Sequence, residues 1–523
     1  MPSRKRIESE AEEVIVVATP PSPTLSAASS VTLVATDYAP NPFDSVPIEI
    51  RQRIATYLDS DFDLCNYNAT CKATNEAVDQ DNYSFWRQRF TSTFERPSWS
   101  GRRSNFEFKK QYQRRQSALR YGANYAIAVR GSSKNPRLVS REMRKAVLGL
   151  EVLKELLLDA YSEMDGDDDK TACHSSNMEH IAGFLHNHDL LDEVLTADYT
   201  KERKREVIAV PQDLLQTVQV LLAPAMFDLE CPRGTFGFPE SQHVVYASAC
   251  DIPIFVGCNN LDVNTEWVLH HLNFWKYHMT RSEEETLHPA FEDLAEDERP
   301  RFPSKQLAHG GGEDLGKHWK GSYAYVDRAE ISRIRNSISR SVIITDEFNG
   351  DDEHGQGSFQ DLELSLLGGD TDIWPPLFEQ TLHSLRVPSS HAKTRAQRRC
   401  ATADNMPVFM PQNFQFSGEG EDVTEEFHAL GWLNALPPQN GVPGWQRMTM
   451  MKYFQDPVTR VMDTAALWAY EGVVLPGGQI MLGRWWCVSD GTGRDQYSGP
   501  FILWNVDGPR KAERRVVDED NLP

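Results

Sequence analysis

Glu266 and His270 stand four residues apart, and His271 and His278 lie close by in the same aromatic stretch, Trp267–His278. On a helix that spacing gathers a carboxylate and imidazoles on one face. Two readings are open: acid–base or metal chemistry, or an aromatic packing helix with partly exposed imidazoles. Cys250 and Cys258 with His270 and His271 would make a zinc donor set, although their spacing matches no finger pattern. Further along, Trp468, Tyr470, Trp485, Trp486 and Trp504 are candidates to line a pocket, with Glu471 and Arg484 on neighbouring positions. An arginine flanked by aromatic rings suits a carboxylate or a phosphorylated group, because the guanidinium is a planar fork that also stacks. The other reading is a filled core in which Arg484 pairs with Glu471. The substrate or ligand candidates are therefore Arg484, Glu471, Trp468 and Trp485. The signatures G-x-S-x-G, H-E-x-x-H and G-x-x-x-x-G-K-[ST] are missing. Gly310–Gly312 precedes a predicted strand rather than a helix, unlike a phosphate loop. No catalytic residue, metal site or cofactor is expected.

These residues need elements to position them. Ala466–Trp486 reads LWAYEGVV, LPGG and QIMLGRWW. Two alternating apolar runs around Pro-Gly-Gly predict a hairpin, since glycine accepts the positive φ of a tight turn. Lys317–Val326 places Trp319, Tyr323 and Tyr325 on one face at period two, with Gly321 between them. Further strands are expected at Ser341–Asp346, Gly357–Leu366, Phe414–Ser417, Phe427–Leu436, Gln446–Phe454 and Phe501–Val506. Eight or nine short antiparallel strands over roughly 190 residues predict a barrel or sandwich. Upstream the apolar spacing is helical. Ile50, Ile54, Tyr57 and Leu58 share a helix face, a second helix is expected from Asp63 to Val78 and a third over Tyr83–Phe90. Helices follow over Phe106–Arg120, over 139–164 and through 175–230, with Pro211 near a start and Pro224 at an end. Residues 243–257 read as a strand pair.

The chain has 523 residues, 40% of them hydrophobic, which is enough for a real core. With 76 acidic and 54 basic side chains the formal net charge is −22, a surface that repels phosphate backbones, so nucleic acid is not an expected partner. The acidic runs Asp165–Asp169 and Asp351–Glu353 read as solvated loops. No apolar run reaches the roughly 18 residues of a membrane span. The N-terminus MPSRKRIESEAEE is charged where a secretory leader would be apolar, and the eight cysteines form no C-x-x-C pair. An intracellular protein, cytoplasmic or nuclear, is expected. Residues 1–40, rich in Ser, Thr, Pro and Ala, read as a disordered tail. Residues 509–523 read as a second flexible tail.

The stretch 43–90, FDSVPIEIRQRIATYLDSDFDLCNYNATCKATNEAVDQDNYSFWRQRF, resembles the F-box motif. Its landmarks are Val46, Pro47 and Glu49, then Ile50, Ile54 and Leu58, then Asp63–Leu64, Cys71–Lys72 and the closing Phe85–Trp86. Thr74 stands where the motif often has Trp, and Asn66, Asn68 and Thr70 make the middle helix polar. The resemblance implies a three-helix unit that docks on a Skp-type adaptor, and through it on a cullin, by laying an apolar helix face into a groove. The adaptor face would draw on Pro47, Ile48, Ile50, Ile54, Leu58 and Leu64, and Trp86 would pack inside. The C-terminal half is similar to a group of fungal F-box proteins with a lipocalin-like barrel. His318–Tyr323, Phe416–Asp422 and Leu467–Trp486 carry that likeness.

The expected chain is therefore α+β and multidomain: an F-box domain over 41–92, a mainly helical region over 93–309 and an antiparallel β-barrel or sandwich over 310–508. The function that this implies is substrate recognition for a Skp–cullin–F-box ubiquitin ligase, a non-catalytic role that works by proximity. The rival is a small-ligand-binding barrel whose F-box serves assembly. No membrane partner is expected, and the substrate protein is not specified by the sequence.

Overall fold

A computed structural model of the chain describes residues 41–97, 104–121, 128–129, 136–161, 175–187, 207–208, 211–230, 237–257, 260–283, 287–304, 307, 315–339, 359–367, 374–376, 378, 382, 413–421, 425–456, 458–488, 493 and 496–507. The expected tails, both acidic runs, Gly310–Gly312, Cys258 and the strand at Ser341–Asp346 lie outside the described residues. The chain divides into two units, Met1–Ala77 and Val78–Pro523. The division falls inside the stretch 41–92 that was read as one domain.

In the first unit a 3-10 turn at Pro42–Ser45 leads to α1 (Ile48–Thr56), α2 (Asp61–Thr70) and the start of α3 (Lys72–Asp79). Where one helix is expected from Asp63 to Val78 the chain makes two, because Cys71 is fully extended at φ −159° and ψ 173°. The Thr74 hydroxyl then caps α3: it accepts from the Cys71 N–H at 3.1 Å and donates to the Cys71 carbonyl at 2.9 Å. Ser60 caps α2, its Oγ accepting from the Asp63 N–H at 3.0 Å. Side chains of α1 and α2 tie the helices together. Tyr67 Oη donates to Arg51 O at 2.9 Å, Gln52 Nε2 to Ala77 O at 3.2 Å, and Arg51 Nη1 to Ala73 O.

The second unit opens with α4 (Ser84–Thr93), α5 (Asn105–Tyr121), α6 (Pro136–Asp159) and α7 (Ser176–Asn187). Phe85, Phe90, Phe94, Phe108 and Tyr112 fill the space between α4 and α5. Trp86 belongs to this core: it stacks obliquely on Tyr112 and its Nε1 donates to Asp79 at 2.9 Å. Next come α8 (Gln212–Leu221), α9 (Phe238–Tyr246), α10 (Thr265–Thr280), α11 (His288–Glu292) and α12 (Arg328–Ser339). The expected strand pair at 243–257 is corrected. His243–Tyr246 finish α9, and the pairing strands are β3 (Phe255–Val256) and β4 (Asp262–Val263). A similar short pair joins β1 (Ala128–Val129) to β2 (Val207–Ile208). Helix α10 is mostly apolar or aromatic and is buried from Trp267 to Thr280, Asn273 and Lys276 included, as in a helix surrounded by protein.

The C-terminal strands β5 (His318–Tyr323), β6 (Gln360–Leu367), β7 (Asn413–Glu421), β8 (Glu426–Ala435), β9 (Gln446–Gln455), β10 (Met462–Val474), β11 (Ile480–Cys487) and β12 (Ser498–Asn505) follow one another around a closed, wholly antiparallel barrel. β12 pairs back onto β5, with Leu503 opposite Gly321. The chain is thus α+β, with twelve α-helices among the described residues and one closed eight-stranded barrel.

Side chains alternate across the wall of such a barrel. Lys452 decides which set points inward: from β9 its Nζ lies 5.2 Å from the ring centroid of Tyr323 on β5, the strand diametrically opposite. In register with Lys452 are Ala429 and Trp468. The inward set therefore contains Trp319, Tyr323, Phe416, Phe427, Met450, Trp468, Tyr470, Trp485 and Phe501. Gly431 belongs to it as well, and a Cβ there would strike the Phe416 ring and the Thr449 carbonyl. Gly431→Ala is expected to destabilise the barrel by about 1–3 kcal/mol, as overpacking does, read as a lower urea midpoint in tryptophan fluorescence.

Candidate functional site

Two places bring sequence-flagged residues to a surface. The first is the apolar row on the first unit. Ile50 is 52% exposed, Ile54 38%, Tyr57 68% and Phe62 69%. Ile50, Ile54 and Tyr57 follow the i, i+4, i+7 spacing of one face of α1, and Phe62 enters from the first turn of α2. Pro47, just before α1, is exposed, while Ile48 and Leu58 are half-buried. Leu64 is corrected: at 2% exposure it is a core residue and presents nothing to a partner. Tyr57 and Phe62 were not among the expected contact residues. Tyr57 stood in the helical spacing, but no periodicity reaches Phe62 from α1.

The second place is the barrel end where β5, β9 and β11 finish. Trp485 centres a ring cluster there, with centroids 5.4 Å to Trp468, 5.5 Å to Tyr497, 6.2 Å to Tyr325 and 6.3 Å to Tyr323. Trp485 Nε1 donates to Ala324 O at 3.3 Å, and Tyr497 Oη donates to Val326 O at 2.9 Å. Burial raises the Tyr497 phenol far above its ordinary value, so it stays a donor. Lys452 Nζ lies 4.0 Å from the Phe427 centroid and 5.7 Å from that of Phe454. Tyr323, Tyr325, Phe454 and Trp468 are only half-buried, so this end offers ring faces to solvent. Such a surface holds apolar or aromatic groups.

The four expected ligand residues do not form one set. Trp468 and Trp485 come together inside the barrel, but Glu471 and Arg484, three residues and one residue away on their strands, project from the outer face. The period of two separates them. The expected Arg484–Glu471 pair is likewise corrected. The two are opposite in register, yet Glu471 accepts from Arg447, at 2.8 Å from Nε and 2.7 Å from Nη2. Trp486 also faces outward, against Trp374 and Met451, and Trp504 Nε1 donates to Glu298 O at 2.7 Å.

On α10 the imidazoles are buried rather than partly exposed, because every side of that helix is covered. Ser241 Oγ and His270 Nδ1 are 3.0 Å apart, and Asn273 Nδ2 donates to Ser241 Oγ at 2.9 Å. The pair lies 0% and 4% exposed, which bars a substrate from it. No group of three His, Cys, Asp or Glu able to hold a metal occurs among the described residues. Burial lowers the His270 pKa to about 4, against 6.5 for a free imidazole. Between these values the unfolded chain binds a proton that the folded chain refuses. His270 therefore supports the fold fully above about pH 6.5 and loses that support as the pH falls toward 4, at up to about 1.4 kcal/mol per pH unit. In urea unfolding at pH 7 and pH 5, His270→Gln is expected to lose less stability on acidification than the parent chain.

No family model matches the chain, and neither a curated protein nor a solved structure matches it. Among the described residues no helix is long and apolar enough to cross a membrane.

Proposed function

We propose that the chain is the substrate receptor of a Skp–cullin–F-box ubiquitin ligase. The first unit would dock on the adaptor, and the barrel would hold the substrate. The observation that carries this reading is the exposed row Ile50, Ile54 and Tyr57 with Phe62 beside it. It coincides with the stretch whose landmarks, from Pro47 to Trp86, resemble the F-box motif. A small helical unit that leaves such a face in water gains by covering it, and a groove that accepts a helix is the matching partner. The half-buried rings at the barrel end support a protein or peptide as the barrel's cargo. The ligase role needs no active site in this chain: a held substrate lysine meets a charged conjugating enzyme at raised effective concentration.

The test is recovery of the Skp-type adaptor and cullin by the intact chain and by a chain carrying Pro47→Ala and Ile54→Asp. Recovery by the intact chain alone is expected. Equal recovery by both, or by neither, would remove the ligase reading and bring the small-ligand barrel forward.

A further inference from the structure

Arg484 leaves the barrel wall on its outer side and is 2% exposed. Its Nη2 donates to Ile252 O at 3.2 Å, and its Cζ lies 5.8 Å from the Trp267 ring centroid. Nε and Nη1 are buried with no acceptor. Glu471, opposite it in register, is near enough to offset part of its charge, but the carboxylate makes its ion pair with Arg447. A second guanidinium, Arg335 of α12, adds positive charge to the same region. Arg335 is fixed there, donating to Tyr246 O at 3.0 Å, Gln496 O at 2.6 Å and Ser498 Oγ at 2.8 Å. His271 supplies no negative charge either. Burial and the nearby Arg484 hold it neutral, its Nδ1 is 3.1 Å from Trp267 O, and its Nε2 has no partner. The other two buried arginines among the described residues of this unit show what is missing: each has a bonded carboxylate, Asp159 at 2.6 Å from Arg115 and Glu471 at 2.7 Å from Arg447, although Nε and Nη1 of Arg115 also lack an acceptor.

A buried cation with no anion bonded directly to it is costly, and a guanidinium with unused N–H groups is a ready partner for a tetrahedral oxyanion. We propose that Arg484, beneath the 248–252 loop, binds a small inorganic oxyanion, phosphate or sulfate. The enclosure sets the size limit. Nε and Nη1 are almost wholly enclosed, so any anion needs the loop to lift, and a free phosphate or sulfate needs a smaller opening than a phosphate carried on a polypeptide. A free anion reaches them when the overlying loop lifts. That loop is on the surface, with Ala249, Cys250 and Asp251 exposed, and it is held in shape by Ser248 Oγ donating to Asp251 Oδ2 at 2.7 Å. The inference stands independently of the ligase reading.

The full chain, freed of phosphate and sulfate and kept at constant ionic strength with chloride, would be dialysed against labelled inorganic phosphate. A single saturable equivalent is expected, displaced by sulfate and lost in Arg484→Met. Cys250, which lies within electrostatic reach of Arg484, gives a second readout that needs no variant. Its alkylation by iodoacetamide, followed by peptide mass spectrometry, should slow several-fold with phosphate, while exposed Cys65 of the first unit stays unchanged. No saturable uptake, uptake undiminished in a folded Arg484→Met chain, or an unchanged Cys250 rate would each overturn the proposal.

Discussion

Ile54→Asp is expected to weaken capture of a Skp-type adaptor by at least roughly a hundredfold while leaving the first unit folded. Ile54 is 38% exposed and sits between Ile50 and Tyr57 on α1, so in the free chain an aspartate there stays hydrated and costs little. Once a groove closes over that face, the carboxylate is stripped of water with no cation to meet it. The penalty for such an unpaired buried charge is about 3 kcal/mol or more, and each 1.4 kcal/mol is tenfold in affinity. Titration calorimetry with purified adaptor would measure it. Tyr57→Ala should weaken binding less, since it removes contact area without adding charge. Leu64→Asp provides the contrast. Leu64 is 2% exposed, so this change should unfold the unit, visible as lost helical circular dichroism. If Ile54→Asp bound like the parent chain while Leu64→Asp lost its helicity, the exposed row would not be the docking face.

The sequence was most informative where a pattern is local. The alternation in Ala466–Trp486 and the Pro-Gly-Gly between its halves mark the β10–β11 hairpin, and Trp319, Gly321 and Tyr323 mark the inner face of β5. Closure of the barrel is not local. It depends on β12 returning to β5 across about 180 residues, a pairing that no short-range period encodes. Helix α12 was invisible because Arg328–Ser339 is mostly polar, with Ile331 and Ile334 as its buried apolar anchors. The ligand candidates failed as a set for a simple reason. Adjacent strand residues were grouped by chemistry, whereas the wall sends Trp485 inward and Arg484 outward. Lys452, whose ammonium meets rings from three strands, carried no signal because Tyr323 and Phe427 are distant from it in sequence. The α1 face was legible through its helical spacing, but the motif that added Leu64 of α2 to it could not tell exposed Ile54 from buried Leu64.

The second large effect is expected at Arg115 and Asp159, which join α5 to α6 through a 2.6 Å ion pair with side-chain exposures of 1% and 11%. Arg115 also lies over two rings, 5.1 Å from the Phe90 centroid and 5.3 Å from that of Phe94. Asp159→Ala leaves this guanidinium buried with only ring faces for company, and should cost about 3–5 kcal/mol. Arg115→Met should cost less, because the Asp159 carboxylate is nearer solvent and methionine still packs on the phenylalanines. The double change Arg115→Met with Asp159→Leu removes both charges and keeps the volume, so it should return to within about 1.5 kcal/mol of the parent. All twelve tryptophans lie in the second unit, so urea unfolding followed by tryptophan fluorescence reports on the unit that contains the pair. A double-mutant cycle with additive losses would mean that the pair contributes through packing alone. A strongly non-additive cycle would establish that each charge is tolerated at this depth because the other is there. By that same rule Arg484, whose neighbouring carboxylate Glu471 is ion-paired to Arg447 instead, sits in a costlier setting than Arg115.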